Sequence, residues 1–431
     1  MELCADGSFD SEFCEVSTIL RIHLRRSVKS LVIAGSALHL ELSYTSEFCD
    51  DSSPTLLDKH TVMAVFIEGN DVSASELLDA VLSLKAFEVL LEVTVSRPFR
   101  LSLKVPNEVG FHQLFLFHKK TSPNPGQENR LLKPLILPLL TGCFNVISQD
   151  QIALIHSAVP VLTNYRVFNG ILIEEDYGKT LGSHIYDSSI SIIRYLLKQK
   201  VSDDSTILKR SELSTIESLH NVALELGAGC GLVSIWLSKE SSMHRVIATD
   251  MACQLPLMTR NIARNGAQDR CTARELDWST FTLGHIDRVS HLPAKGNSSD
   301  TNPITASSES VDNSNKCENY CSAQSFPKFS SPSEATVQHQ RDLIHIAEDE
   351  ILSMIVAGDV LYSRSLAEDF FAVVRALAVP DVTVILVAQK LRNVDQRDTL
   401  DVRSLIGFRS EIVWQEANVI VWKMFVIPLT D

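Results

Sequence analysis

Seven residues, Glu225-Leu226-Gly227-Ala228-Gly229-Cys230-Gly231, follow an apolar run at Val222 and open a stretch of helical periodicity from Leu232 to Lys239. Glycines between a strand and a helix allow a tight turn and let the main chain approach a ligand closely. Asp250 ends the next apolar run, Val246 to Thr249, where a carboxylate can accept hydrogen bonds from ribose hydroxyls. The glycine spacing is Gly-x-Gly-x-Gly, at Gly227, Gly229 and Gly231, and not the Gly-x-Gly-x-x-Gly preferred for a dinucleotide pyrophosphate. No Gly-Lys-Ser/Thr follows, which excludes a phosphate-binding Walker loop.

Glu225 at the loop entrance is awkward beside a pyrophosphate but acceptable beside a cation. S-adenosylmethionine carries a sulfonium and an ammonium, so the acid favours it over NAD. The plain alternative for Asp250 is a helix N-cap. Context argues for the ligand, because strand, loop, helix, strand and terminal acid occur in order.

Around these residues the second half of the chain alternates strand and helix. Tyr165 to Phe168, the turn Asn169-Gly170 and Ile171 to Ile173 read as a hairpin. Tyr186, Ile190, Ile193 and Leu197 form one apolar helical stripe. Further strands are expected at Thr272 to Leu276, Met354 to Ala357 and Val382 to Val387, with a short helix over Asp398 to Ile406. Ser365 and Glu368 are spaced as a capping box for the helix carrying Phe370, Val373 and Leu377. Glu411 to Trp414 and Val419 to Ile427 would close the chain as a hairpin that adds the one antiparallel strand. Repeated β-α units imply a mostly parallel sheet with helices on both faces.

On these motifs the stretch from about Tyr165 to Ile427 resembles the seven-β-strand methyltransferases, and more narrowly the family-16 protein lysine methyltransferases. Leu276-Asp277-Trp278 matches that family's element after the third strand, and Asp359-Val360-Leu361-Tyr362 its Asp/Glu-x-x-Tyr/Phe signature after the fourth. Gly182-Ser183-His184-Ile185-Tyr186-Asp187 stands where members carry a Trp before the first helix, with Tyr186 in the place of the Trp. The resemblance implies a Rossmann-like α/β fold, S-adenosylmethionine as cofactor and a lysine of a non-histone protein as methyl acceptor. It implies that Tyr186, Glu225, Gly227, Gly229, Gly231, Asp250, Asp277 and Trp278 contact the cofactor. Asp277 would meet the adenine amino group, Trp278 would pack by the ring, and Asp359 and Tyr362 would orient the acceptor amine. Packing alternatives stand beside these roles: Trp278 and Tyr186 as core aromatics, Asp359 and Tyr362 as braces of the following helix. A small-molecule amine substrate, or a methyltransferase-like binding module without catalysis, are the competing functions.

Composition sets the outer limits. With 39 Lys+Arg against 53 Asp+Glu the formal charge is −14, and 45% of the 431 residues are hydrophobic. That excludes a disordered chain and argues against a broad nucleic-acid grip, which needs clustered cations. It is compatible with a basic protein substrate. The apolar stretch Leu131 to Ile147 is broken by Lys133, Pro134 and Pro138, so no membrane span is expected. The N-terminus lacks the basic region of a secretory signal, and nine scattered cysteines read as free thiols of an intracellular protein, in cytoplasm or nucleus. Cys317 and Cys321 have no partner pair nearby, so no metal site is expected.

The expected organisation is a β-rich region over residues 1–150 and a methyltransferase domain over 160–431. In the first half, Thr61 to Ile67 and His112 to Phe117 read as strands, while Val89 to Val95 and Phe99 to Val105 flank a turn as a hairpin would. No chemical motif marks this half. Within the domain, about 286–342 reads as a flexible insertion, since the serine-rich core from Asn297 to Ser333 holds no leucine to offset its ordering entropy.

Overall fold

The computed structural model describes residues 16–45, 60–69, 87–91, 99–119, 133–176, 180–201, 220–279, 344–347, 349–392 and 407–427. The serine-rich insertion, the short helix expected over Asp398 to Ile406 and the Cys317/Cys321 pair lie outside these residues.

The first half folds as strands. In chain order they are β1 (Val16–Leu24), β2 (Leu31–Ile33), β3 (Ala37–Thr45), β4 (His60–Glu68), β5 (Phe87–Leu91), β6 (Phe99–Lys104), β7 (Gly110–Lys119), β8 (Lys133–Leu137), β9 (Leu139–Thr141), β10 (Phe144–Ile147), β11 (Asn164–Phe168) and β12 (Ile171–Glu175). A four-stranded sheet runs β6-β3-β1-β8, and an eight-stranded sheet runs β12-β11-β9-β7-β10-β2 with β4 on β7 and β5 on β4. Period-two alternation decides how they stack. Leu40 and Leu42 of β3 and Leu101 and Leu103 of β6 share one core with Val62 and Ala64 of β4 and Leu114 and Leu116 of β7. The intervening Met63, Val65, Phe115 and Phe117 line a second cluster.

Two expectations change here. β5 and β6 are not a hairpin: β5 pairs with β4 and β6 with β3, in different sheets. Alternation gives a strand its buried face but does not name its neighbour. The β11–β12 hairpin forms as read, with Phe168 opposite Ile171, yet β11 also pairs with β9, so the hairpin belongs to the eight-stranded sheet.

The second half is a seven-stranded, mostly parallel α/β sheet of Rossmann-like type. Its strands are β13 (His220–Leu226), β14 (Arg245–Asp250), β15 (Cys271–Glu275), β16 (Glu350–Gly358), β17 (Val384–Lys390), β18 (Phe408–Glu416) and β19 (Val419–Val426), in the order β15-β14-β13-β16-β17-β19-β18. The pairings from β15 to β17 are all parallel, and β19 runs antiparallel to both its neighbours, as expected of a terminal hairpin. The helices are α1 (Asp187–Val201), α2 (Leu232–Glu240), α3 (Leu255–Arg264) and α4 (Arg364–Leu377). Ile190 and Ile193 of α1, Trp236 of α2 and Met258 of α3 pack on one face of the sheet, with Phe370, Val373 and Leu377 of α4 on the other. The stripe read at Tyr186 starts one residue early, because Tyr186 lies just before α1 and its carbonyl accepts the first helical bond from Ile190.

The start of α4 also differs from the expectation. Its N-cap is Ser363, whose extended backbone lets Oγ accept from the Leu366 amide, while Glu368 pairs with Arg364. Ser365 is already inside the helix. Either serine satisfies the local preference for a hydroxyl cap; the turn out of β16 sets which one is used.

Chain order reverses between β13 and β16, since β14 continues on one side of β13 and β16 is added on the other. Open α/β sheets bind ligands at the carboxyl ends of strands beside such a switch point. Among the described residues no helix is long and apolar enough to cross a membrane.

Candidate functional site

The loop after β13 is built on left-handed backbone. Gly227, Gly229 and Gly231 have φ of 69°, 56° and 86°, values that side chains rarely adopt. Space is tight as well as twisted: a Cβ on Gly229 would sit 2.8 Å from the Gly182 carbonyl oxygen, and one on Gly227 would sit 2.9 Å from Val360 and 3.6 Å from the Trp278 ring. The loop thus touches the segment before α1, the turn after β16 and the Leu-Asp-Trp element together.

Asp250 closes the loop from the end of β14. Its Oδ2 accepts the Gly229 amide at 2.8 Å and its Oδ1 accepts the Met251 amide at 2.7 Å. A carboxylate offers about four acceptor positions, so each oxygen keeps one for a further donor. Burial lifts the carboxyl above its ordinary value, against the pull of the two amides.

Glu225 faces the other way. Its Oε2 accepts from both the Ser234 amide, at 2.8 Å, and the Ser234 hydroxyl, at 2.5 Å, so the acid braces the first turn of α2 from beneath. Burial pushes its pKa up to about 7 from 4.5, the Ser234 bonds pulling back and the nearby Asp250 adding to the rise.

Trp278 is partly buried, with its ring edge-on to Phe370 at 5.7 Å, and lies alongside Gly227. Asp277 holds its own turn, Oδ1 accepting from the Ser279 amide and hydroxyl. Tyr186 is half-buried, donates from its hydroxyl to the Leu181 carbonyl at 2.6 Å and packs on the His184 ring at 4.4 Å. The Thr180 hydroxyl donates to Gln254, which fixes the same segment to the turn after Asp250.

On the opposite side of the switch point, Asp359 has a φ of 61°, strained for a residue with a side chain. Arg392 closes a fork on its carboxylate, Nη1 donating to Oδ1 at 2.8 Å and Nη2 to Oδ2. Gln389 also donates to Oδ1, at 2.5 Å. Tyr362 stands out from the same turn, 54% exposed.

The structure thus gathers the glycines, Asp250 and Trp278 around one loop, with Tyr186 and Asp277 at its edges and Asp359 and Tyr362 across the switch point; Glu225, expected beside the cofactor, is instead buried and turned onto Ser234 of α2. Sequence reading left out Ser234, Gln389 and Arg392. A Gln-Lys pair ending the apolar run of β17 is the one local signal for Gln389; nothing local marks the other two. Among the described residues no group of three or more His, Cys, Asp or Glu side chains is placed to hold a metal.

Residues 168–288, a little over a quarter of the chain, match the family model described as lysine methyltransferase. The match supports a methyltransferase of that family. It spans the glycine loop, Asp250 and the Leu-Asp-Trp element, and no curated protein matches the chain. Among solved structures, P. horikoshii TYW2 in complex with MeSAdo is 13% identical over 68% of this chain and 77% of its own, with a TM-score of 0.30. M. jannaschii TYW2 in complex with AdoMet is 12% identical over 63% and 91%, at 0.29. The O-methyltransferase from Bacillus cereus in complex with SAH is 13% identical over 54% and 90%, at 0.27. The order and direction of the seven strands stand on their own hydrogen bonds.

Proposed function

We propose that this chain is an S-adenosylmethionine-dependent methyltransferase acting on a lysine side chain of a protein, in cytoplasm or nucleus. The observation that carries the reading is the lysine methyltransferase match falling on the stretch where Asp250 grips the Gly229 amide. The residues present fit the cofactor: Asp250 keeps two acceptor positions, enough for a ribose diol, and the loop beside it has no room for side chains.

When bound, the cofactor supplies an electrophilic methyl group on a sulfonium. Asp250 would hold the ribose, the loop main chain would follow the amino-acid portion, and Asp277 and Trp278 would flank the base. Tyr186, in the place where the resembled family carries Trp, would lie against the cofactor from the α1 side.

The acceptor must lose a proton first, because an ammonium near pKa 10.4 has no lone pair. Removal of the amine from water lowers its pKa and favours the neutral form. Asp359, already shared between Arg392 and Gln389, orients the amine while water carries off the proton. Incubating a cell lysate with methyl-labelled cofactor and the protein tests the substrate class. Label on lysine of a polypeptide is expected; label confined to low-molecular-weight material would overturn the protein-lysine reading.

A further inference from the structure

The backbone around Ile185 is held at both ends by the β-rich first half. Ile185 N donates to Glu175 Oε1 at 3.0 Å, and Ile185 O accepts from Arg21 Nη2 at 2.7 Å. Glu175 ends β12 in the eight-stranded sheet and Arg21 lies in β1 of the four-stranded sheet, so each sheet contributes one grip. Both side chains are about 1% exposed.

Each grip is braced. Arg166 of β11 donates to Glu175 Oε2 at 2.8 Å and to the Ile22 carbonyl at 2.5 Å, tying the two sheets together beneath it. Burial alone would raise the Glu175 carboxyl, but Arg166 and the Ile185 amide hold it below its ordinary value. Arg21 also pairs with Asp187 at 2.8 Å, and Lys390 at the end of β17 takes the other Asp187 oxygen. The Lys390 amide in turn lies 3.4 Å from Asp359 Oδ1.

Apolar packing runs across the same seam. Ile19, Leu137, Phe168 and Ile173 of the first half share one buried cluster with Ile185, Ile190 and Trp236 of the second. The segment so held carries Gly182, which abuts Gly229, and Tyr186, whose hydroxyl donates to the Leu181 carbonyl.

We infer that the β-rich first half is a working part of the methyltransferase, and that Arg21 is a positioning residue fixing the Gly182–Asp187 wall of the cofactor crevice. The consequence for cofactor affinity rests on the function proposed above; the hold on Ile185 does not. Removing Arg21 frees one anchor of that wall while Asp187 keeps Lys390, so the loss falls on geometry more than on an orphaned buried charge.

The test uses the full-length protein with Arg21→Met, which keeps the volume, and Arg21→Lys, whose single ammonium can reach both acceptors that Nη2 serves. Hydrogen exchange is read at the amides of 183–190, and S-adenosylmethionine affinity by calorimetry. Arg21→Met is expected to exchange at least tenfold faster there and to bind cofactor at least tenfold more weakly. With saturating cofactor its turnover approaches that of the parent. Arg21→Lys is expected to recover affinity to within about threefold. Unchanged exchange in Arg21→Met overturns the inference, as does unchanged cofactor affinity in a parent that binds. A parent that binds no cofactor overturns the proposed function instead, and exchange alone then decides the role of Arg21.

Discussion

Arg392 grips Asp359 with both terminal nitrogens, and it does so on the one turn of the switch point where a non-glycine residue is held at positive φ. A strained residue persists only when its surroundings over-determine it. Here they are the fork from Arg392, the amide of Gln389 and the Asp359 amide's bond to the Ala388 carbonyl at 2.8 Å. The carboxylate is therefore fixed in direction and matched in charge before any substrate arrives, which suits orientation better than proton abstraction.

Asp359→Asn tests that assignment. Asparagine tolerates the left-handed backbone, so the turn survives while the charge pairing with Arg392 is lost. Methyl transfer is expected to fall by about tenfold or more, with cofactor affinity within about threefold of the parent; loss of one charge-assisted contact supports that size. Single-turnover rates and calorimetry on the same sample check it, and an unchanged rate would remove Asp359 from the acceptor side.

Glu225 makes a prediction about stability and pH. Its carboxyl rises from 4.5 to about 7 on folding, chiefly through burial, so between those values the folded chain keeps a proton that the unfolded chain has lost. Stability from this group is whole below pH 4.5 and lost as pH rises through 7. Glu225→Gln can still accept from Ser234 and carries no charge. It is expected to match the parent near pH 4.5 and to exceed it at pH 8 by on the order of 2–3 kcal/mol. Denaturant melts at the two pH values decide; a variant less stable than its parent at pH 8 would mean that the carboxylate is held by cations.

What the sequence shows of the candidate site is local. Glycine spacing, an acid ending the next strand and the Leu-Asp-Trp element are each properties of a few consecutive residues, and the parallel sheet followed from alternating strand and helix. What escaped was long-range. The Arg21 bond to Ile185 spans 164 residues, and the Arg166 bond to Ile22 spans 144. No periodicity in either segment names the other. The hairpin at Asn169-Gly170 was readable from its turn, but which sheet receives it depends on β9, more than twenty residues earlier. Ser363 and Ser365 carry the same capping preference, and only the path out of β16 separates them.

The central claim is that Asp250 holds a sulfonium nucleoside against the glycine loop, and calorimetric titration of the parent and Asp250→Ala with S-adenosylmethionine tests it most directly. Hydrogen bonds to a charged group contribute about 1.5–3 kcal/mol each, so losing two predicts affinity weakened by about a hundredfold or more in a variant that keeps its helical circular dichroism. Saturable binding to the parent and almost none to the variant are expected. Equal affinity in the two proteins, or a parent that ignores S-adenosylmethionine and binds NAD tightly, would contradict it.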